Sequence, residues 1–178
     1  VYRDPRDVYF SLRNHIQNMN LDVQSEWLLE DVSESFRKWS VVPNVAGASE
    51  LFTLSEMVHH YKSFLDFKHL PNIHFFHFGD FKRDLVGQME RMADILKIEI
   101  EPEMIARLAA SADFDSMRNN ASQYVPASGM QVWKSEKKFF NRGDTYKLSE
   151  LTVQDIELYN ETMAKLIDKD NIDWLESG

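Results

Sequence analysis

The segment at residues 73–78 constrains the fold of this chain more than any other part of the sequence. It is short, aromatic-rich and nearly continuously apolar, and it follows a turn at residues 69–72. A strand that is covered on both faces of a parallel sheet has this character, because polar residues do not alternate along it. Residues 1–3 are interpreted as the end of a second buried strand. Two strands set among several helices predict a layered α/β domain.

Helical periodicity accounts for most of the remaining sequence. Asp4 is predicted to cap a helix that starts at Pro5 and runs to about Asn20, and Thr152 is predicted to cap the last helix. Residues 112–138 are interpreted as a long functional loop, because polar residues are scattered through them. Other amphipathic segments predict helices over residues 27–39, 51–67, 80–96 and 102–111.

The composition favours one soluble globular domain. Hydrophobic residues make up 43% of the 178 residues and charged residues 28%. A formal net charge of −9 argues against a nucleic-acid partner, which would require a basic face. No apolar stretch approaches the ~20 residues of a membrane span. The sequence has no cysteine, which suits a cytoplasmic location, and nothing in it indicates an oligomeric state.

The predicted strand at residues 1–3 is joined to the next helix by a charged turn, within the sequence VYRDPRD and shortly before Ser11. This order places a guanidinium at the carboxyl end of a strand, where ligands bind in open α/β sheets. Arg3 can bind two phosphate oxygens through its planar fork, and the Ser11 hydroxyl adds a donor. The residue types alone leave a second interpretation open, in which Arg3 pairs with Asp4 or Asp7 in an ordinary surface turn.

The same segment resembles the 3′-phosphate-binding segment of cytosolic and bacterial-type sulfotransferases, which use 3′-phosphoadenosine 5′-phosphosulfate (PAPS). The family pattern is Val-x-Arg-Asn/Asp-Pro-Lys/Arg-Asp with a Ser four residues on, and it matches here without a gap. Arg3 and Ser11 fall on the two positions that hold the 3′-phosphate. The resemblance implies a P-loop-NTPase-like three-layer fold with a central parallel sheet, its N-terminal strands missing. Residues 1–178 would then be the C-terminal part of a single sulfotransferase domain.

A second match is the sequence FFNRG at residues 139–143, which resembles the Gly-containing basic loop of the family. The resemblance assigns Phe140, Asn141, Arg142 and Gly143 to the nucleotide site. Gly143 would let backbone N–H groups approach a phosphate. Without the family, an ordinary basic turn would explain these residues. The Gly-x-Trp that usually follows the loop is missing.

Two further segments resemble family motifs that hold the nucleotide base. Phe78 takes the place of a Tyr, which removes a hydroxyl but keeps a ring. Phe114 takes the place of the ring that packs on adenine, although core packing would also explain it. Asp113 stands where a Ser is common, and it is left out of the site because a carboxylate would repel phosphate. Asp80 is predicted to cap the helix that follows.

His15 is assigned to the acceptor pocket, because the family places acceptor-contacting aromatic residues just after the motif Ser. The other histidines form no recognisable ligand set with carboxylates, so no metal site is predicted.

The resemblance implies an enzyme that transfers a sulfuryl group from PAPS to a hydroxyl or amine of a small-molecule, sugar or lipid acceptor. The family's leaving-group Lys and its His base belong to segments upstream of the one that matches residues 1–3. The catalytic residues are therefore unknown, and the chain is expected to supply the 3′-phosphate and adenine side of the donor site. Two alternatives stay open, a kinase-like nucleotide-dependent transferase and a catalytically inactive nucleotide-binding module.

Overall fold

The computed structural model describes residues 1–21, 25–43, 52–126, 129–140 and 148–178. Almost all of its regular structure is helical. The helices in chain order are α1 (Pro5–Asn18), α2 (Val32–Val41), α3 (Leu54–Leu65), α4 (Phe78–Arg83), α5 (Leu85–Leu96), α6 (Pro102–Ser111), α7 (Phe114–Asn119), α8 (Ala121–Tyr124), α9 (Val153–Leu166) and α10 (Lys169–Ser177), with 3₁₀ turns at Glu136–Lys138 and Leu148–Glu150.

The described residues contain no β-strand, so the predicted central parallel sheet, and with it the three-layer fold, is wrong. The two segments expected to be strands do lie side by side, but they meet at one isolated parallel bridge, between Tyr2 and His77. The Tyr2 N–H donates to the Phe76 carbonyl at 2.8 Å. Because α1 begins at Pro5 and α4 at Phe78, the pairing cannot continue toward the C-terminal ends of the two segments.

Several helix boundaries follow from local capping chemistry. Thr152 and Asp155 form a reciprocal capping box at the start of α9, as the sequence predicts for Thr152. The single helix predicted over residues 80–96 is instead two helices, because the carboxylate of Asp84 accepts a hydrogen bond from the Gly87 N–H and starts α5. The prediction that Asp80 caps a helix is wrong, since Asp80 lies inside α4 and pairs with Arg83.

The described residues group into two compact units. The first combines Val1–Arg13, Val23–His77 and Thr145–Gly178. Its core is aromatic, and Tyr9 lies at its centre with ring centroids 5.0 Å from Phe36 and 5.4 Å from Trp39. Trp27 and Tyr159 are also fully buried in this unit. Packing of α2 against α9 and α3 brings these large rings together, which buries much apolar surface.

The second unit combines Asn14–Asp22 and Phe78–Asp144. It contains the C-terminal end of α1 and the helices α4 to α8. Within it α5 packs against α6, and Ile105 and Ala109 of α6 are buried. The long segment predicted as a loop is partly helical, because α7 and α8 lie within it.

Candidate nucleotide and acceptor site

The turn that carries Arg3 is held by the residues around it. The carboxylate of Asp4 accepts a hydrogen bond from the Arg6 N–H at 2.8 Å, just before α1 begins at Pro5. Asp4 therefore satisfies a backbone donor at the start of the helix, as the sequence predicts. Its side chain is buried, with 2% exposure. The backbone that carries Arg3 is thus fixed to the first turn of α1.

Arg3 forms an ion pair with Asp7. Its Nε lies 3.2 Å and its NH2 nitrogen 3.1 Å from the same Asp7 oxygen. The Arg3 side chain is 25% exposed and that of Asp7 4%. The pairing that the residue types left open is therefore present, and it directs the guanidinium along α1. Ser11 lies one helical turn beyond Asp7, so Asp7 and Ser11 share one face of α1, and Arg3 contacts that face from the turn before the helix.

Arg6 is half-buried and belongs to a charge network that the sequence analysis missed. Its guanidinium contacts Asp4 at 2.6 Å and Glu176 at 3.0 Å, and it lies 5.4 Å from the centre of the Tyr159 ring. The Tyr159 hydroxyl donates to Glu176 at 3.1 Å. Burial raises the pKa of Glu176, and burial together with the nearby carboxylates raises the pKa of Tyr159. This network connects the turn beside Arg3 to α10.

In the second unit, five rings form a continuous series that we call the aromatic chain, namely Phe114, Phe140, Phe139, Trp133 and His15. The Phe140 centroid lies 6.4 Å from that of Phe114 and 5.4 Å from that of Phe139. Phe139 in turn lies 4.6 Å from His15 and 5.0 Å from Trp133, in edge-to-face contacts. All five rings are half-buried. The structure therefore connects three predicted site residues, Phe114, Phe140 and His15, through two that the sequence analysis did not assign.

Other predicted residues have different settings. Phe78 is the first residue of α4 and is half-buried. Asp113 caps α7 by accepting hydrogen bonds from the Asp115 and Ser116 N–H groups at 2.9 and 3.2 Å, which explains the carboxylate without any ligand. Asn141, Arg142 and Gly143 lie outside the described residues.

A cleft of about 250 Å³ lies in the first unit. It lies beside Tyr2, Phe75 and His74, and neither Arg3 nor Ser11 lines it. Within the described ranges no group of His, Asp and Glu is arranged to hold a metal ion. In the same ranges, every helix is too short or too polar to span a membrane.

Comparison with known proteins decides the family. The family model described as the sulfotransferase domain matches residues 1–171. The chain belongs to the sulfotransferase domain family. This confirms the resemblance seen in the segment that contains Arg3 and Ser11.

Curated relatives of this chain include the glycolipid sulfotransferases of Mycobacterium bovis and Mycobacterium tuberculosis. They are 28% and 29% identical to it over 207 and 206 aligned positions, which cover the whole chain. The chain spans 63% of the length of these relatives. The amine sulfotransferase of Oryctolagus cuniculus is 25% identical over 118 positions, covering 66% of this chain and 35% of the relative.

A solved structure of mouse sulfotransferase SULT7A1, complexed with PAP, superposes on this chain with a TM-score of 0.73. The match covers 97% of this chain and 59% of the mouse protein, at 19% sequence identity. It shows that the chain has a sulfotransferase fold, although the described residues lack the sheet that the sequence predicted.

Proposed function

We propose that this protein is an enzyme that transfers a sulfuryl group from PAPS to a hydroxyl or amine of its acceptor, and that this chain binds the 3′-phosphate and the adenine of the donor. PAPS, when bound, supplies the sulfuryl group, and PAP (3′-phosphoadenosine 5′-phosphate) remains after transfer. The family match and the ion pair between Arg3 and Asp7 at the start of α1 carry this proposal. No residue of this chain is assigned to the chemical step.

Arg3 and Ser11 are the proposed ligands of the 3′-phosphate. A guanidinium has five N–H donors, so the contact with Asp7 is compatible with additional acceptors. The contact also holds a flexible side chain in one direction before a ligand arrives, which lowers the entropic cost of binding. The residues present fit a phosphate group, since the Arg3 guanidinium contacts Asp7 of α1 and the Ser11 hydroxyl lies one helical turn beyond Asp7. The same role is proposed for Asn141, Arg142 and Gly143 from the family resemblance alone.

Phe114 and Phe140 are the proposed adenine contacts, and Phe78 is a further one by resemblance. Phe114 and Phe140 lie in edge-to-face contact at 6.4 Å, and both are half-buried, so part of each ring faces outward. A base stacks well on an aromatic surface of this kind. The aromatic chain supports this role, because its neighbouring rings hold Phe140 in place.

His15 is the proposed acceptor contact. Its ring is held edge-to-face against Phe139 at 4.6 Å and Trp133 at 5.9 Å. We extend the proposal to a sugar-bearing lipid as the acceptor, because two of the relatives are named glycolipid sulfotransferases.

Calorimetric titration of the full-length protein with PAP, 5′-AMP and ATP tests the donor site. We expect Arg3→Ala to weaken PAP binding roughly ten- to hundredfold, because charged hydrogen bonds to the 3′-phosphate are lost. Binding of 5′-AMP, which lacks that phosphate, should change less than about twofold. Arg107→Ala is the matched control, since Arg107 is exposed on α6.

Equal losses for PAP and 5′-AMP would contradict the role of Arg3. Tighter binding of ATP than of PAP by the unaltered protein would favour a kinase-like transferase. A folded protein that binds none of the three nucleotides would indicate an inactive module.

A further inference from the structure

Residues 131–135 are fastened to the C-terminal end of α1. Met19 and Trp133 form an antiparallel bridge. On either side of it, the Asn20 N–H donates to the Val132 carbonyl at 2.8 Å and the Lys134 N–H donates to the Asn18 carbonyl at 2.7 Å. This segment is therefore fixed by backbone hydrogen bonds, although the sequence analysis assigned it to a loop.

The side chain of Asn18 adds a reciprocal pair of hydrogen bonds to the same segment. Its amide nitrogen donates to the Ser135 carbonyl at 2.8 Å, and its amide oxygen accepts from the Ser135 N–H at 3.1 Å. Asn18 is buried, with 5% exposure. Removing its amide would leave two backbone groups of Ser135 without their partners, which costs more than the bonds themselves contribute.

The hydrogen bonds that hold residues 131–135 place the side chain of Trp133 beside His15. Its indole N–H donates to the Pro126 carbonyl at 2.7 Å, so its one polar group is satisfied within the chain. The ring lies 5.0 Å from Phe139 and 5.9 Å from His15 and is half-buried. A ligand that meets the exposed part of Trp133 therefore meets an apolar aromatic surface that is held rigidly from behind.

We propose that Trp133 determines acceptor specificity by stacking on the sugar ring of the acceptor, and that Asn18 is the positioning residue that holds Trp133 in place. The inference rests on the proposed function. A pyranose has an apolar C–H face that fits a flat indole and hydroxyls that need polar partners. The exposed side chains of Gln17 and Gln131, on the two fastened segments, offer amides for those hydroxyls.

The test compares hexyl β-glucoside with 1-hexanol as acceptors of the full-length enzyme, since the two differ by the sugar ring alone. We expect Trp133→Ala to raise KM for hexyl glucoside about tenfold more than KM for hexanol, with kcat for the glucoside changed less than about twofold. Trp133→Phe should recover most of the loss, because a phenyl ring still stacks. Ligand-observed NMR of hexyl glucoside binding gives a readout that does not depend on turnover.

Asn18→Ala should raise the glucoside KM in the same selective way and leave the dissociation constant of PAP within about twofold. Asn160→Ala is the matched control, because Asn160 is an exposed residue of α9 and belongs to neither of the two fastened segments. We expect it to change neither acceptor's KM.

Three results would overturn the inference. They are an unchanged glucoside KM in Trp133→Ala, an equal loss for glucoside and hexanol, and an Asn18→Ala variant that behaves like Asn160→Ala. If the unaltered enzyme binds PAP and sulfates the glucoside while any of these results holds, the proposed function stands and the role of Trp133 or Asn18 is wrong. If the unaltered enzyme does not prefer PAP to 5′-AMP, the proposed function itself fails and this inference fails with it.

Discussion

The Arg6 guanidinium lies 3.0 Å from the carboxylate of Glu176, so α10 is ion-paired to the turn at which α1 begins. Arg6 also contacts Asp4 at 2.6 Å, and one half-buried cation therefore pairs with two carboxylates. Because Asp4 already compensates the charge of Arg6, the ionised form of Glu176 gains less from the pair than its burial costs. This balance explains why burial raises the pKa of Glu176.

Glu176→Gln is expected to make the protein more stable near pH 7, because ionising the carboxyl is less favourable in the folded chain than in the unfolded chain. A group with a raised pKa binds its proton more tightly in the folded chain than in the unfolded chain. The protonated carboxyl therefore stabilises the folded protein fully below pH 4.5, the ordinary pKa of a Glu. This stabilisation is lost as the pH rises through the raised pKa of Glu176. Gln has no proton to lose and still accepts the Tyr159 hydrogen bond. Urea unfolding of both proteins between pH 4 and pH 7 should show their free energies diverging as the pH rises. If the variant became less stable relative to the unaltered protein as the pH rises, this explanation of the Glu176 pKa would be refuted.

Asp155→Asn is expected to lower the free energy of unfolding at pH 7 by about 2 kcal/mol. Burial raises the pKa of Asp155, but the hydrogen bonds from Ser33 and Thr152 and the charge of Arg37 outweigh it and lower the pKa below 3.8. The ionised carboxylate of Asp155 therefore stabilises the folded protein above pH 3.8, the ordinary pKa of an Asp. This stabilisation is lost as the pH falls through the lowered pKa of Asp155. Unfolding curves at pH 7 and pH 3 check this, and the difference between the two proteins should shrink at the lower pH. Asp170→Asn, at an exposed position of α10, should have little effect at either pH.

Phe140→Ala is expected to weaken PAP and 5′-AMP equally, roughly tenfold each, because both ligands carry the adenine that the ring would contact. This pattern differs from that of Arg3→Ala, which should discriminate between the two nucleotides. Calorimetry with both ligands measures it, and Phe67→Ala serves as a control at a 51% exposed Phe. A loss confined to PAP would place Phe140 near the 3′-phosphate and not near the base.

The sequence predicted those features that depend on interactions between residues close together along the chain. The cap at Thr152 and the proline start of α6 depend on residues within one helical turn, and both are present. The sheet was predicted wrongly, because a strand requires partners that a single short apolar segment does not specify. The break at Asp84 had a readable signal, an Asp three residues before Gly87, which is the spacing of a helix cap.

Within the candidate site too, contacts between residues close together in sequence could be predicted, and contacts between distant residues could not. Arg3 and Asp7 are four residues apart across the start of α1, and their contact was one of the two interpretations that the residue types allowed. The rings of Trp133 and Phe139 could not be placed beside His15 from sequence, because Asn18 and Ser135, which hold that segment, are 117 positions apart. No local pattern encodes a contact over such a separation.

Arg13 fixes the path of the segment before α2 mainly by contacting main-chain atoms. Its guanidinium donates to the carbonyl oxygens of Leu29 and Glu30, as well as to the Ser35 hydroxyl at 3.0 Å. Because two of these acceptors belong to the main chain, the side chains at positions 29 and 30 can be exchanged without losing the contacts. Related proteins can therefore diverge in sequence at these two positions while the backbone keeps its course, and mutational drift there should be fast compared with drift at position 13.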